Sequence, residues 1–340
     1  MATPEVARDD LVRLPASRTR SPWREIRALV ARRVALGVVT LFLVTVVVFA
    51  ATQVLPGNAA YAVLGHSATP QAISALEKEM GLDRSAVSQY WSWFSGLFQG
   101  DLGKSLANGE PVGSLIGPRL ENSAFLVAVS GAIGTAIGVL LGLWAALRRD
   151  KPIDHVLSVT LLALTSLPEF VVGIVLVLVF ASVLFHVLPA VAVLSPGQAP
   201  WDAPKLLILP TATLVIVTVP YLFRMVRAAT IEALESEYVE MARLNGLSPL
   251  RVLVRHALPN AIAPTIQVIG LNFLYLAGGI VVVEFVFNYP GIGQGLVNAV
   301  SDRDIPIIQF TVLVLAAFYV FMNIVTDVIA LLATPRRLFR

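Results

Sequence analysis

The chain contains no cysteine, which excludes disulfides and thiolate metal sites. Its histidines, His66, His155, His186 and His256, are too scattered to form a ligand cluster. No His-Glu-x-x-His, Gly-x-Ser-x-Gly or dinucleotide fingerprint is present. Gly103-Lys104-Ser105 imitates the end of a phosphate loop, but the glycine needed five residues before the Gly-Lys pair is Phe98. The sequence therefore offers no catalytic residue and no metal ligand. Charge is scarce too. Asp, Glu, Lys and Arg make up 14% of the 340 residues, against about 25% in an ordinary soluble domain.

Apolar residues are abundant, at 56%, and the mean hydropathy is +0.78. A spanning helix needs roughly 20 apolar residues. Six segments qualify: about 34–55, 122–147, 156–186, 206–226, 264–287 and 307–333. The third is long enough to be tilted or broken. The first, with core Val34–Ala51, exceeds the apolar stretch of a signal peptide and reads as a retained anchor. Six crossings put both termini on one side. Most of the 25 Lys and Arg gather there, before segment one (Arg8 to Arg33), after segment two (Arg148, Arg149, Lys151), after segment four (Arg224 to Arg255) and at the end (Arg336, Arg337, Arg340). Cationic loops stay cytoplasmic. The net charge of +3 and pI of 9.3 thus reflect topology, and nucleic acid is not an expected partner.

These features divide the chain into an Arg-rich cytoplasmic leader (1–33), a first span (34–55) and an external segment (56–120). A five-helix core (121–333) carries a cytoplasmic loop at 228–262, and a short cytoplasmic tail follows (334–340). In the external segment Thr69 can cap a helix that starts at Pro70, with Gly81 at its end. A second helix is expected over Ala86–Phe98. Its Trp91, Trp93, Phe94 and Phe98 fit either lipid headgroups or the external ends of the spans. Gly134, Gly138 and Gly142 recur every four residues and form a stripe that admits a close helix neighbour.

Three carboxylates fall within or near spans, where an ionised group is costly and seeks a partner or water. Glu169 follows the helix-breaking Pro168 and either lines a hydrophilic path or is a buried, hydrogen-bonded group. Glu284, near the external end of segment five, is placed to anchor the following loop. Asp327 shares a face with Asn323 and lies within reach of Arg336 or Arg337, which indicates a structural role.

The most informative stretch is Tyr238–Pro264. A helix is expected from Ala233 to Asn245, ended by Gly246 in the left-handed conformation. Ser248 and Pro249 then restart one as N-cap and first residue. Val239, Leu244, Leu247, Leu250 and Leu253 give this bent pair an apolar surface rimmed by charge, the mark of a docking site.

The insert resembles the cytoplasmic loop of permease subunits of ATP-binding-cassette importers. That pattern is Glu-Ala-Ala, a glycine four residues later, then an apolar residue and proline. Here it reads Glu240-Met241-Ala242, Gly246 and Leu258-Pro259, with Met241 in place of the middle alanine. Two further stretches resemble the dipeptide/oligopeptide branch. One runs from Glu284 through Asn288-Tyr289-Pro290-Gly291-Ile292-Gly293 to Asp302-Arg303-Asp304-Ile305-Pro306. The other comprises Leu55-Pro56-Gly57-Asn58, Gly81-Leu82-Asp83 and Gly100-Asp101-Leu102-Gly103 with Ser105; the branch often has Asp where Asn58 stands. Ser166-Leu167-Pro168-Glu169-Phe170 resembles its third-span motif.

The resemblance implies an all-α membrane protein, the six-helix permease fold of type I importers, in a bacterial plasma membrane. It implies a partnership with a second homologous permease, two cytoplasmic ATPase subunits and an external substrate-binding protein, within the lipid bilayer. This chain would bind no cofactor; ATP and Mg would sit on the ATPases. Glu240, Ala242, Gly246, Leu247, Ser248 and Pro249 would form the coupling element. Ser166, Pro168, Glu169 and Phe170 would lie on the translocation pathway, and Glu284, Pro290, Gly291 and Gly293 in the external loop. Dipeptides or oligopeptides are the expected cargo; nickel, glutathione, an opine or haem are alternatives on the same machinery. An ion-driven secondary transporter is the competing class.

Overall fold

The computed structural model describes residues 22–54, 69–79, 83–195 and 197–333. Among these residues the only strand-like pairing is an isolated bridge between Lys104 and Pro111. The helices are α1 (Pro22–Val54), α2 (Pro70–Glu79), α3 (Ala86–Gln99), α4 (Val112–Leu147), α5 (Pro152–Thr165) and α6 (Glu169–Val177). They continue with α7 (Pro204–Leu234), α8 (Glu237–Leu244), α9 (Pro249–Val252), α10 (Leu258–Val286), α11 (Ile292–Asp302) and α12 (Ile305–Ala333). Within these, Arg27–Val54, α4, α7, Pro264–Val286 and α12 are long and apolar enough to cross a bilayer. The pair α5 and Glu169–Ser182 provides a sixth crossing if it forms one span, although it bends by 100°. The bend falls at Pro168, which has no N–H to continue the helix and biases Leu167 away from the helical region. The expected long third span is therefore broken.

The centre of the bundle is α4 against α7. Small residues decide how near they come. A Cβ on Gly134 would lie 3.0 Å from the Thr218 hydroxyl, and one on Gly142 would lie 2.9 Å from the carbonyl oxygen of Phe223. Leu222 fills the space above Gly138. The glycine stripe thus serves a contact within this chain, where close approach maximises dispersion. Leu126, Leu209, Leu214, Leu276, Ile280 and Phe287 build the main buried cluster beside it.

Helix α1 is peripheral and exposes most of its apolar side chains. It runs antiparallel to α12, with Gly37 beneath Val320, Thr52 accepting from Gln309 Nε2 at 2.9 Å, and Arg33 Nε 2.6 Å from Asp327. Asp327 pairs with Arg33, brought opposite by the α1–α12 pairing, while Arg336 and Arg337, the expected neighbours, lie outside the described residues. Thr69 caps α2 through Ala72 N–H at 3.2 Å, whereas Gly81 lies outside the described residues. Helix α3 leans on α1: Tyr90 bonds the Thr45 hydroxyl at 2.9 Å and stacks with Phe94, while Phe49 contacts Tyr90 and Trp93. Each such ring pair contributes about 0.5–1.5 kcal/mol beyond its area. Two of the α3 aromatics, Trp91 and Phe98, remain exposed.

Candidate functional site

The polar insert begins where α7 stops at Leu234. The single helix expected over Ala233–Asn245 is interrupted at Glu235–Ser236. Ser236 leaves the helical region (φ −70°, ψ 146°), and its hydroxyl donates to the Ala233 carbonyl at 2.6 Å, an acceptor left open by the end of α7. The break swings α8 back over the chain. Val239 and Ala242 pack with Ala233, Val252, Leu253, Ala257 and Ala261 in a small buried cluster of their own. Glu237 and Glu240 occupy the first turn of α8 and Arg243 the last, each at the favoured end of the helix dipole.

The far end of α8 is closed by two backbone bonds. Gly246 N–H donates to Arg243 O at 2.9 Å, and Leu247 N–H donates to Ala242 O at 3.3 Å. That pairing requires a left-handed residue after the helix, and Gly246 has φ +76°. Leu247 folds down against the small cluster. The chain then resumes as helix at Pro249, with Val252 N–H donating to the Ser248 carbonyl.

This geometry corrects the expected apolar surface at Val239 and Leu253 and keeps Leu244 on it. Val239 is 0% exposed and Leu253 is also buried, because both face the elbow's own cluster; Leu250's side chain lies outside the described residues. The outward stripe consists of Tyr238, Met241 and Leu244, exposed by 44%, 59% and 75%. These residues are spaced by three and share one helix face. Met241, the departure from the Glu-Ala-Ala pattern, sits at the stripe's centre. Glu240 and Ser248 are exposed, while Ala242 is buried.

Two ion pairs tie the end of α7 to the loop between α4 and α5 and to the first turn of α5. Asp154 is buried and takes a two-pronged contact from Arg227, at 2.7 Å to Nε and 2.6 Å to Nη2. Hydrogen bonding to Glu235 raises the pKa of the Arg149 guanidinium, and the two side chains pair across the surface. The sequence reading missed both. Asp154 carried a weak signal as an acid in the first turn of a helix; nothing marked Arg227 as its partner.

At the bend of the third span, Ser166, Pro168 and Phe170 are exposed and Glu169 is half-buried. The Glu169 carboxylate lies against Gly279, where a Cβ would sit 2.7 Å from Oε1, and it hydrogen-bonds Tyr275. Tyr275 is exposed in this single chain.

The corner at the opposite end of the bundle, around Glu284, is built differently. Glu284 is fully buried and accepts from Gly293 N–H at 2.7 Å, Gln294 N–H at 3.1 Å and the Ser123 hydroxyl. Ser123 in turn accepts from Ile292 N–H at 2.8 Å. Arg119 Nη1 donates to Gly291 O and to Gln294 Oε1, each at 3.3 Å. Glu284 therefore grips the first amides of α11, and Gly291 and Gly293 leave room for its carboxylate. Tyr289 donates to the carbonyl of Asn122, whose Nδ2 donates to Pro290 O, both at 2.9 Å. Burial raises the pKa of the Tyr289 phenol. A second tie joins distant motifs: Ser105 and Ala107 N–H both bond Asp304. Asn122 and Ser123 had no signal in the sequence, because a serine or asparagine near the start of an apolar helix is ordinary.

A bundle of five or six apolar helices, one of them broken, with a separately packed elbow defines a class, the polytopic membrane proteins. Comparison with known proteins narrows it. Residues 138–338 match the family described as the inner membrane component of binding-protein-dependent transport systems. Residues 26–123 match the N-terminal part of such membrane components. A probable peptide ABC transporter permease of Sinorhizobium fredii is 34% identical over 309 residues, 90% of this chain and 98% of its own length. The glutathione transport system permease GsiC of Escherichia coli is 34% identical over 296 residues, 87% of this chain and 94% of its own. Inward-facing structures of the MetNI methionine ABC transporter share the fold, with a TM-score of 0.52 at 16% identity over 66% of this chain and 97% of that one. The chain belongs to the family of binding-protein-dependent transport inner membrane components. It is a multi-pass permease subunit of an ABC importer, a machine that also requires an ATPase and an external binding protein.

Proposed function

We propose that this chain imports short peptides, as one of two homologous permeases that together enclose the path. The reading rests on its end-to-end similarity to peptide permeases, which extends over 90% of the chain. In this reading two ATPase subunits bind ATP and Mg and carry out the hydrolysis, while this subunit is non-catalytic. Both termini are cytoplasmic, in keeping with the arginines that crowd that face. The elbow, with Glu240, Ala242, Gly246, Leu247, Ser248 and Pro249, is the coupling element. Its exposed stripe of Tyr238, Met241 and Leu244 meets the ATPase, and its buried side transmits movement to α7 and α10. Nucleotide drives the switch between inward and outward states only through different affinities for the two.

Ser166, Pro168, Glu169 and Phe170 face the path in this reading. The carboxylate paired with Tyr275 offers an anionic group to the ammonium end of a peptide. The external corner around Glu284, Pro290, Gly291 and Gly293 presents α11 towards the binding protein. Glutathione is the second reading, favoured by the similarity to GsiC.

The test is reconstitution of the four membrane and ATPase subunits with the binding protein in vesicles. ATP-dependent uptake of labelled di- and tripeptides is expected. Uptake of glutathione alone selects the second reading, and uptake by this subunit under an ion gradient without ATP defeats both. Glu169→Gln should lower peptide uptake with little change in folded yield, read from initial rates.

A further inference from the structure

A pocket of about 360 Å³ opens beneath the elbow. Its walls come from the ends of α4 and α7, with Ala146, Leu147, Ile231 and Leu234, and its mouth carries Arg149, Glu235 and Arg243. The setting is that of a membrane surface. Leu147 and Leu234 are the last residues of two spanning helices. One turn away, Arg148 lies 5.1 Å over the ring of Trp144, an aromatic–basic pair suited to the interface.

We propose that this pocket binds an anionic phospholipid, with its phosphate between Arg149 and Arg243 and an acyl chain along Leu147, Ile231 and Leu234. The charge balance favours an anion. Arg149 is shared with Glu235 and Asp150, but among the described residues Arg243 forms no ion pair. The lining itself holds two guanidinium groups against one carboxylate, with Arg243 open to an anion above an apolar floor. Guanidinium is well suited to phosphate because its N–H groups form a planar fork. The apolar floor distinguishes a lipid from a soluble anion, which would leave those walls uncovered.

The pocket also stays clear of the stripe assigned to the ATPase. Arg243 follows Met241 by two residues, about 200° around an α-helix. One face of α8 is thus turned towards the motor protein and the opposite face towards the inner leaflet. A lipid seated there would fill the space under the elbow and tie it to membrane charge. The proposal depends on the membrane topology and not on the identity of the cargo.

Native mass spectrometry of the detergent-purified full chain tests it, with phosphatidylglycerol and phosphatidylcholine as probes. Retained phosphatidylglycerol should exceed phosphatidylcholine by about fivefold or more, the scale expected for one well-placed basic residue at a membrane surface. The Arg149→Gln/Arg243→Gln double variant should abolish that preference. Arg243→Lys, which preserves the charge, and Arg255→Gln, in the same loop but outside the pocket, should retain it. Both glutamines fall at exposed positions, and a monodisperse elution profile confirms folding. If the double variant is not monodisperse, Arg243→Gln alone gives the same reading. Equal binding of the two lipids overturns the proposal, as does an equal loss with Arg255→Gln, which signals only diffuse charge. Displacement of phosphatidylglycerol by inorganic phosphate also overturns it, since the apolar walls would then hold no chain.

Discussion

The two ends of this bundle solve opposite problems. At the Glu284 corner, a buried carboxylate and a buried serine satisfy each other and the first amides of α11, while Arg119 donates to Gly291 O and Gln294 Oε1. At the elbow, a few small apolar residues are buried and a row of larger ones faces outward. The corner is complete by itself. The elbow instead buries its small residues and leaves Tyr238, Met241 and Leu244 exposed. A polar network in a low-dielectric setting is stable only when every member is paired, so the corner should respond to mutation by losing its fold. The elbow should respond by losing its connection.

The largest effect is expected from Glu284→Ala. It leaves the amides of Gly293 and Gln294 and the Ser123 hydroxyl without their acceptor in a buried site. Unpaired buried donors cost about 1–3 kcal/mol each, so a total of about 4 kcal/mol is a fair expectation. Thermal unfolding of the purified permease should show a large loss; an unchanged midpoint would contradict the network. Gly138→Leu comes next. Leu222 already occupies the space that the new side chain needs, and overpacking of this kind costs about 1–3 kcal/mol. Normal yield and stability of this variant would show that α4 and α7 are less tightly joined than their glycines indicate.

Gly246→Val has a smaller effect on stability and a sharper one on function. A β-branched residue in the left-handed region costs about 1–2 kcal/mol, and no neighbour lies within 4 Å of the added Cβ to obstruct it. The spans should therefore remain folded while ATP-driven uptake falls. Wild-type uptake would mean that the angle between α8 and α9 does not matter.

What could be read from the sequence follows the range of each interaction. Spans, the Pro168 break, the Thr69 cap and the left-handed Gly246 are set by residues within a few positions of one another, and all were legible. The spacing of Gly134, Gly138 and Gly142 announced a close helix contact but not its partner, α7, because any apolar helix fits such a stripe. Three features lay beyond reach: the Ser123–Glu284 bond, the Arg227–Asp154 pair, and the Arg33–Asp327 pair. Each depends on which helices become neighbours, and the chain does not encode that locally. The elbow's surface was misread for a related reason. Val239 and Leu253 suit a docking face by composition, but the break at Ser236 rotates them into a cluster; Leu244 is exposed as expected, joined by Tyr238 and Met241.

Met241→Glu probes that exposed face and should have the smallest effect on the fold. Met241 is 59% exposed and contributes nothing to the elbow's buried cluster, so stability should change by no more than about 0.5 kcal/mol. The same charge placed at the centre of a buried interface is expensive, because a desolvated ion without a partner is poorly tolerated. Co-purification of the ATPase with the permease should therefore fall by about tenfold or more, at unchanged permease yield. Glu240→Gln, one residue away on the exposed rim, should have only a slight effect, as rim charges usually do. If both variants hold the ATPase equally well, the stripe is not the contact. If Met241→Glu unfolds the elbow, seen as new protease cleavage between α8 and α9, the stripe is part of the elbow's own packing and the contrast between the two ends of the bundle disappears.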